Sequence, residues 1–359
     1  MENMFNTFLV DTDDYAELND YRPHGLDREF YLLSNGDRRY RFKGIYLNNT
    51  SWVEYADLFG PNRLLGAVRE GSLHIAFVWN EDVRMMDTRF SGLRMFLGLA
   101  GSPWEGASLL PAQCYNMILD WDEVRSRLSD EAQATLDKQT TAPWGRATLV
   151  SEPTPLASQL CQAMERCLQQ ALRPAGTSPN PLDKQAWLTD LTDLTAAVIE
   201  GLTGAENADC LEARTRRSVL AREVETMLWK MSTPDLSTLE PRVEDIAKRL
   251  HASKRTLQLA LYEFFGVGFV ALSRTIRMHR FRRALLTQPG SVNIAHLAHE
   301  FGFSHLGRFS VQYREIFKHS PSILKARVIR DKCLRRMPQD SALVKLRNLD
   351  RSLRNTFVN

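Results

Sequence analysis

Two short stretches carry side chains whose types and spacing suit one chemistry. In "SKRTLQLALYEFF" a helical projection puts Arg255, Thr256, Leu259 and Tyr262 on one face, with Gln258 on its flank, opposite Leu257, Leu261, Phe264 and Phe265. In "GFSHLGRFSVQYREIF" Arg308, Val311 and Arg314 lie opposite Phe309, Tyr313 and Phe317, which recur every four residues. Guanidinium and carboxamide groups on an exposed helix can reach base edges in a DNA major groove, and cations beside them can neutralise phosphates. The candidate DNA-contacting residues are Ser253, Arg255, Thr256, Gln258, Tyr262, Ser304, Arg308 and Arg314. Tyr262 could equally pack beside the helix that follows.

These residues need elements to present them, and the flanking sequence supplies a helix-turn-helix pattern twice. In "VEDIAKRLHASKRTLQLALYEFFG" Ile246, Ala247 and Leu250 form an inner face, His251 and Ala252 make the turn, and Ser253 is a good N-cap. "NIAHLAHEFGFSHLGRFSVQYREIF" repeats the plan: Leu297 and Ala298 match Ile246 and Ala247 at an offset of 51, and Phe309, Tyr313 and Phe317 match Leu257, Leu261 and Phe265 at 52. Gly302 frees the backbone for the turn, Phe303 plugs the junction, and Ser304 is expected to cap a helix running to Phe317. Between the two, "FVALSRTIRMHRFRRALL" reads as one linker helix with Val270, Ile276, Phe281 and Leu285 available for packing. Of Arg274, Arg277, Arg280, Arg282 and Arg283, about two are expected on phosphate, and Arg277 in a buried ion pair. Two such helices held about 34 Å apart would enter successive major grooves.

Charge supports a polyanion as partner. The net charge of the 359 residues is only +3, but residues 214–359 hold 28 Lys or Arg against 12 Asp or Glu, and residues 1–213 hold 18 against 31. Other classes find less support. No nucleotide-binding glycine loop, H-E-x-x-H or G-x-S-x-G is present, so no catalytic residue, cofactor or metal site is assigned. His251, His279, His296, His299 and His305 lack acidic partners at ligand spacing, and five scattered cysteines (Cys114, Cys161, Cys167, Cys210, Cys333) read as reduced thiols. No apolar run approaches the roughly 18 residues of a membrane span, and the start is acidic where a signal peptide would be basic; a cytoplasmic protein without a membrane partner is expected.

The expected fold class is α+β. Residues 1–150, with runs such as "RYRFKGIYL" and "SLHIAFVW", read as a β-rich regulatory domain. Residues 151–213 read as a helical segment in which Trp187, Leu191, Leu194 and Val198 form a seam, either a dimer contact or the packing face of the domain itself. Residues 214–330 form the all-α part with two helix-turn-helix units, and 331–359 a basic tail. Trp52, Trp79, Trp104, Trp121 and Trp144 serve as core or line an apolar pocket.

The paired "IAKRL...SKRTLQ" and "LAHEFGFSHLGRFSVQY" signatures, over about a third of the chain, resemble the DNA-binding domain of the AraC/XylS family of bacterial transcription regulators. "HLGRF" is similar to a subgroup that includes the ethanolamine-operon regulator. Phe269 stands where many members have proline, and Lys318 where glycine is usual. Leu259 and Val311 occupy positions often polar in the family, so thymine methyl contacts enter consideration. The resemblance implies an activator that binds double-stranded promoter DNA as a homodimer, engages RNA polymerase, and takes a small-molecule effector in a β-barrel-like N-terminal domain. Alternatives are a DNA-repair fusion enzyme, which would carry a clustered cysteine zinc site, or an interaction protein acting on another regulator.

Overall fold

The computed structural model of the chain describes residues 7–14, 18–19, 23–33, 37–85, 88–108, 110–140, 148–172, 181–203, 216–231, 241–287 and 292–330. Trp144, Cys210, Cys333 and the tail 331–359 lie outside the described residues.

Alternation of polar and apolar residues in the first third dictates strands with distinct faces. In β3 (Arg39–Tyr46) Tyr40 and Phe42 are buried while Arg39, Arg41 and Lys43 are exposed. The other strands are β1 (Thr7–Thr12), β2 (Leu26–Leu32), β4 (Trp52–Phe59), β5 (Asn62–Val68), β6 (Ser72–Met85), β7 (Thr88–Gly98), β8 (Pro103–Ser108), β9 (Ala112–Asp120) and β10 (Thr148–Ser151). All pair antiparallel in the order β1-β3-β4-β9-β6-β8-β5-β2, with β7 branching from β6 and β10 beside it. A register shift between Asn80 and Val83 bends β6, so that its first part pairs with β9 and its last three residues with β8. The sheet thus curls into a half-barrel.

Phe30, Phe42, Trp52, Phe96 and Trp104 fill the inside of the curl. Trp104 lies so close over Gly66 that a Cβ there would stand 2.2 Å from its ring. The outer face, including Ile45, Val53, Ile75, Phe77 and Met117, is covered by α1 (Trp121–Arg125), α2 (Asp130–Thr140), α3 (Pro155–Ala171) and α4 (Pro181–Thr203). Thr154 caps α3 by accepting from the Ala157 N–H at 3.1 Å, with Pro155 in the first turn.

The seam on α4 is spent inside the chain. Leu191 and Val198 are buried in the cluster beneath the sheet, Trp187 and Leu194 pack against it, and the Trp187 indole donates to Gln170 on α3 at 3.1 Å. Of the two readings of this seam, these contacts are those of a packing face: an apolar stripe packs against whichever face is nearest in the chain, and here that is α3 and the sheet.

The helical part comprises α5 (Arg216–Lys230), α6 (Val243–Arg249), α7 (Lys254–Phe265), α8 (Phe269–Thr287), α9 (Ile294–Glu300), α10 (Leu306–Phe317) and α11 (Pro321–Arg330). In α8 Ile276, Phe281 and Leu285 are buried as expected, but Val270 is exposed because Phe269 takes the inward place in the first turn. No single described helix is long and apolar enough to cross a membrane.

Candidate nucleic-acid interface

The pairs α6–α7 and α9–α10 are built to one plan, seven residues then twelve. Small residues at the crossing, Ala247 and Ala298, are buried, and each accepts a turn-closing bond: Ala252 N–H to the Ala247 carbonyl at 2.9 Å, and Phe303 N–H to the Ala298 carbonyl at 3.0 Å. The turn itself needs a left-handed residue, which is Gly302 (φ 77°) in the second pair and His251 (φ 50°) in the first. At the helix ends the roles reverse. Gly266 (φ 70°) ends α7, whereas Lys318 (φ 61°) ends α10.

Ser253 caps α7 by accepting from the Thr256 N–H at 3.0 Å. Ser304 does not cap α10. The second turn is one residue longer, so the residue in Ser253's place is His305, which makes no side-chain cap bond, and Ser304 lies exposed ahead of it.

Among the proposed contact residues, Arg255, Arg308 and Arg314 are exposed on the outward faces. Thr256 is half-buried, its hydroxyl 2.8 Å from that of Ser253. Tyr262 is 59% exposed, but its hydroxyl lies beside Gly268 at the start of the linker helix. Gln258 is half-buried and its side-chain oxygen accepts from the Phe269 N–H at 3.4 Å, so that oxygen is turned away from any DNA.

Four of the five linker-helix arginines point into the protein, which corrects the expectation that about two reach phosphate. Arg277 is buried, donates to the Gly302 carbonyl at 3.0 Å and stacks on Phe303, so it braces the second turn. Arg280 donates to the carbonyls of Leu228 and Met231 at the end of α5. Arg282 pairs with Asp14 at 3.2 Å and donates to His319 at 2.8 Å, and Arg283 pairs with Glu29 on β2. Among the other helical histidines, His296 sits 3.4 Å from Glu300, an acidic neighbour one turn on.

Asp14 and Glu29 belong to the N-terminal part, and the sequence carried little sign of this junction. Strand alternation turns Leu26, Arg28 and Phe30 of β2 into the curl and sends Glu29, Tyr31 and Leu33 toward the helices. The Leu32 N–H donates to His279 Nε2 at 3.1 Å, and burial holds the His279 pKa well below its ordinary value, so the ring is neutral and able to accept. Arg63 of β5, almost wholly buried, pairs with Glu105 of β8 at 2.5 Å and with Glu225 of α5 at 3.1 Å. Glu225 also takes the Tyr31 hydroxyl, and Arg222 pairs with Glu105. Burial alone would raise the Glu105 carboxyl, but Arg222 and Arg63 hold it down to about 2. Phe264, on the inward face of α7, is ringed by the guanidinium groups of Arg63 and Arg84 at 5.3 Å and Arg222 at 4.7 Å. One available signal was a charged residue, Arg63, leading directly into the apolar run of β5.

The N-terminal part holds one space inside the curl and another on its outer face. Inside the curl a cavity of about 60 Å³ is lined by Arg28, His74, Trp104 and Asn116 among others. There Arg28 is paired with Glu54 at 2.8 Å, and burial pushes the His74 ring down to about 3. A groove of about 900 Å³ lies on the outer face, between Tyr55, Trp79 and Tyr115 of the sheet and Glu165 of α3. Thus Trp52 is core, Trp104 both core and cavity wall, and Trp79 half-exposed in the groove. Among the described residues no three His, Cys, Asp or Glu side chains gather to hold a metal ion, and Cys114, Cys161 and Cys167 are free thiols.

Comparison with known proteins agrees with this geometry. Residues 246–327 match the helix-turn-helix domain family. The probable thc operon regulatory protein of Rhodococcus erythropolis is 33% identical over 81 residues, which are 22% of this chain and only 24% of that protein. Among solved structures, the AraC-like transcriptional activator CuxR aligns over 77% of this chain and 95% of its own at 12% identity and a TM-score of 0.38. ToxT from Vibrio cholerae aligns over 84% and 98% at 13% identity and 0.25.

Proposed function

We propose that the chain is a sequence-specific DNA-binding transcription regulator of the AraC/XylS type, with residues 214–330 as its DNA-binding part. The observation that carries this reading is the repeated plan: two helix pairs with the same core positions, the same turn bond and an outward face bearing Arg255 in one and Arg308 and Arg314 in the other. The matched portion of the Rhodococcus erythropolis relative, named an operon regulatory protein, supports it. Both pairs act as helix-turn-helix units, α7 and α10 enter adjacent major grooves, and Ser253, Thr256, Tyr262 and Ser304 contribute backbone contacts. Gln258 contributes through its amide nitrogen only.

The junction of β2, β5 and β8 with α5, α7 and α8 supports control through the N-terminal part. A small-molecule effector, activation through RNA polymerase, and homodimerisation belong to this reading. So does a role in metabolic control, of the kind exercised by the ethanolamine-operon regulator, or in virulence or quorum-sensing control.

The test is selection of bound duplexes from a random pool by the full chain, with the affinity of the recovered sites followed against salt. Two half-elements about 10 base pairs apart are expected. Arg255→Ala should cost about 1 to 3 kcal/mol on the recovered site and less on random DNA. Salt-sensitive binding with no enrichment would count against the reading and favour an interaction protein.

A further inference from the structure

The outward faces of α7 and α10 each carry a large aliphatic side chain at their centre: Leu259 is 44% exposed and Val311 53%. One exposed aliphatic residue is ordinary. These two, however, stand 52 residues apart, the same offset that relates the cores of the two helices, so they occupy the same place in both. Among the described residues, the other large apolar side chains exposed in the helical part, Tyr262, Val270, Leu306 and Ile323, have no such counterpart. Neither Leu259 nor Val311 belongs to a hydrophobic cluster of the chain. Each is flanked one turn away by a cationic residue of the same face, Arg255 for Leu259, and Arg308 and Arg314 for Val311.

Resting on the DNA-binding reading, we infer that Leu259 and Val311 determine specificity by packing on the 5-methyl group of a thymine, one in each half-element. That methyl is the apolar group a base pair shows in the major groove, and a side chain without donor or acceptor gains by covering it while leaving a cytosine amine or guanine oxygen unsatisfied. The flanking arginines anchor the helix in the groove beside the aliphatic contact. The shorter Val311 is accompanied by Gly307 one turn earlier, exposed and with nothing within 4 Å of where its Cβ would be, so the backbone of α10 can approach more closely. Arg255 stands at the equivalent place before the longer Leu259.

The test uses the full chain and its recovered site, with each thymine replaced singly by deoxyuridine, which removes the methyl and nothing else. One thymine in each half-element should lose about fourfold in affinity on this change, the worth of one buried methyl group. Leu259→Ala should erase the response in one half-element and Val311→Ala in the other, each leaving the circular dichroism spectrum unchanged because both side chains are exposed. Sequence-specific binding that ignores deoxyuridine, or a response that survives in both variants, would overturn this inference and leave the DNA-binding reading standing. Absence of any sequence preference would remove both.

Discussion

The two helix pairs share a plan but are secured differently. The core of α6–α7 is completed from outside the helical part: Tyr31, Leu33, Leu65 and Ala107 of the sheet join Leu257, Leu261 and Phe265 in one cluster. The second pair is stabilised by its own rings, with Phe281 of α8 at the centre, 4.8 Å from Phe309 and 5.6 Å from Tyr313. One plan therefore yields one pair whose core is completed by residues of the sheet and another whose core is centred on the linker helix and runs on into the cluster that fills the curl. A change in the half-barrel would reach α7 through Phe264 and its ring of guanidinium groups, and α10 through His279, whose ring meets Phe317 at 5.2 Å, and through Asp14, which lies 3.6 Å from His319 just beyond the end of α10.

The sharpest way to break this contrast is to remove one anchor from each pair. Arg63→Met leaves Glu105 and Glu225 buried with a cation missing and should cost about 3 to 5 kcal/mol. Phe281→Ala should cost a similar amount, about 3 to 5 kcal/mol, through a cavity. The prediction is in the location of the damage: hydrogen exchange should quicken in α7 for the first variant and in α10 for the second. Equal quickening in both helices would mean that the pairs form one cooperative unit.

Acid should weaken the junction next. His279 is neutral when folded, with its pKa well below the ordinary value, so the unfolded chain takes up a proton that the folded one refuses. Stability from this source is full above about pH 6.5 and is lost as the pH falls through that unfolded value, at up to about 1.4 kcal/mol per pH unit. His74, held down to about 3, acts in the same direction from inside the curl. Denaturant midpoints at pH 8 and 5.5 should fall for the native chain, and His279→Gln should reduce the drop while His74 retains its share. An unchanged drop would place the sensitivity elsewhere.

The smallest effect sharpens the comparison of backbones. His251→Gly and Lys318→Gly relieve left-handed conformations where the partner pair already has glycine, and each should stabilise by about 0.5 to 1 kcal/mol. Gly266→Lys and Gly302→His should destabilise. Thermal melting of the four variants checks the sign, and a loss on either glycine substitution would show that the side chain removed makes a contact worth more than the strain.

Much of the candidate interface was legible because it is local. Ser253 as cap, the inward Leu257, Leu261 and Phe265, and the second copy at offsets 51 and 52 follow from a period of 3.6 residues and from capping chemistry. The misplaced cap at Ser304 came from one extra residue in the turn, which moves His305 into that position. Linker-helix arginines misled because periodicity says which face a cation lies on, but not what stands opposite.

What the sequence determined by itself is the pair of helix-turn-helix patterns, the strand-rich first part and the opposition of charge between the halves, since each depends on near neighbours or on simple counting. Tertiary structure alone decided which cations remain outward. Arg282 meets Asp14 across 268 positions, Arg283 meets Glu29 across 254, and His279 receives the Leu32 N–H across 247. A side chain's local pattern carries no record of partners so distant, because burial and ion pairing arise only when the sheet and the helices are brought together.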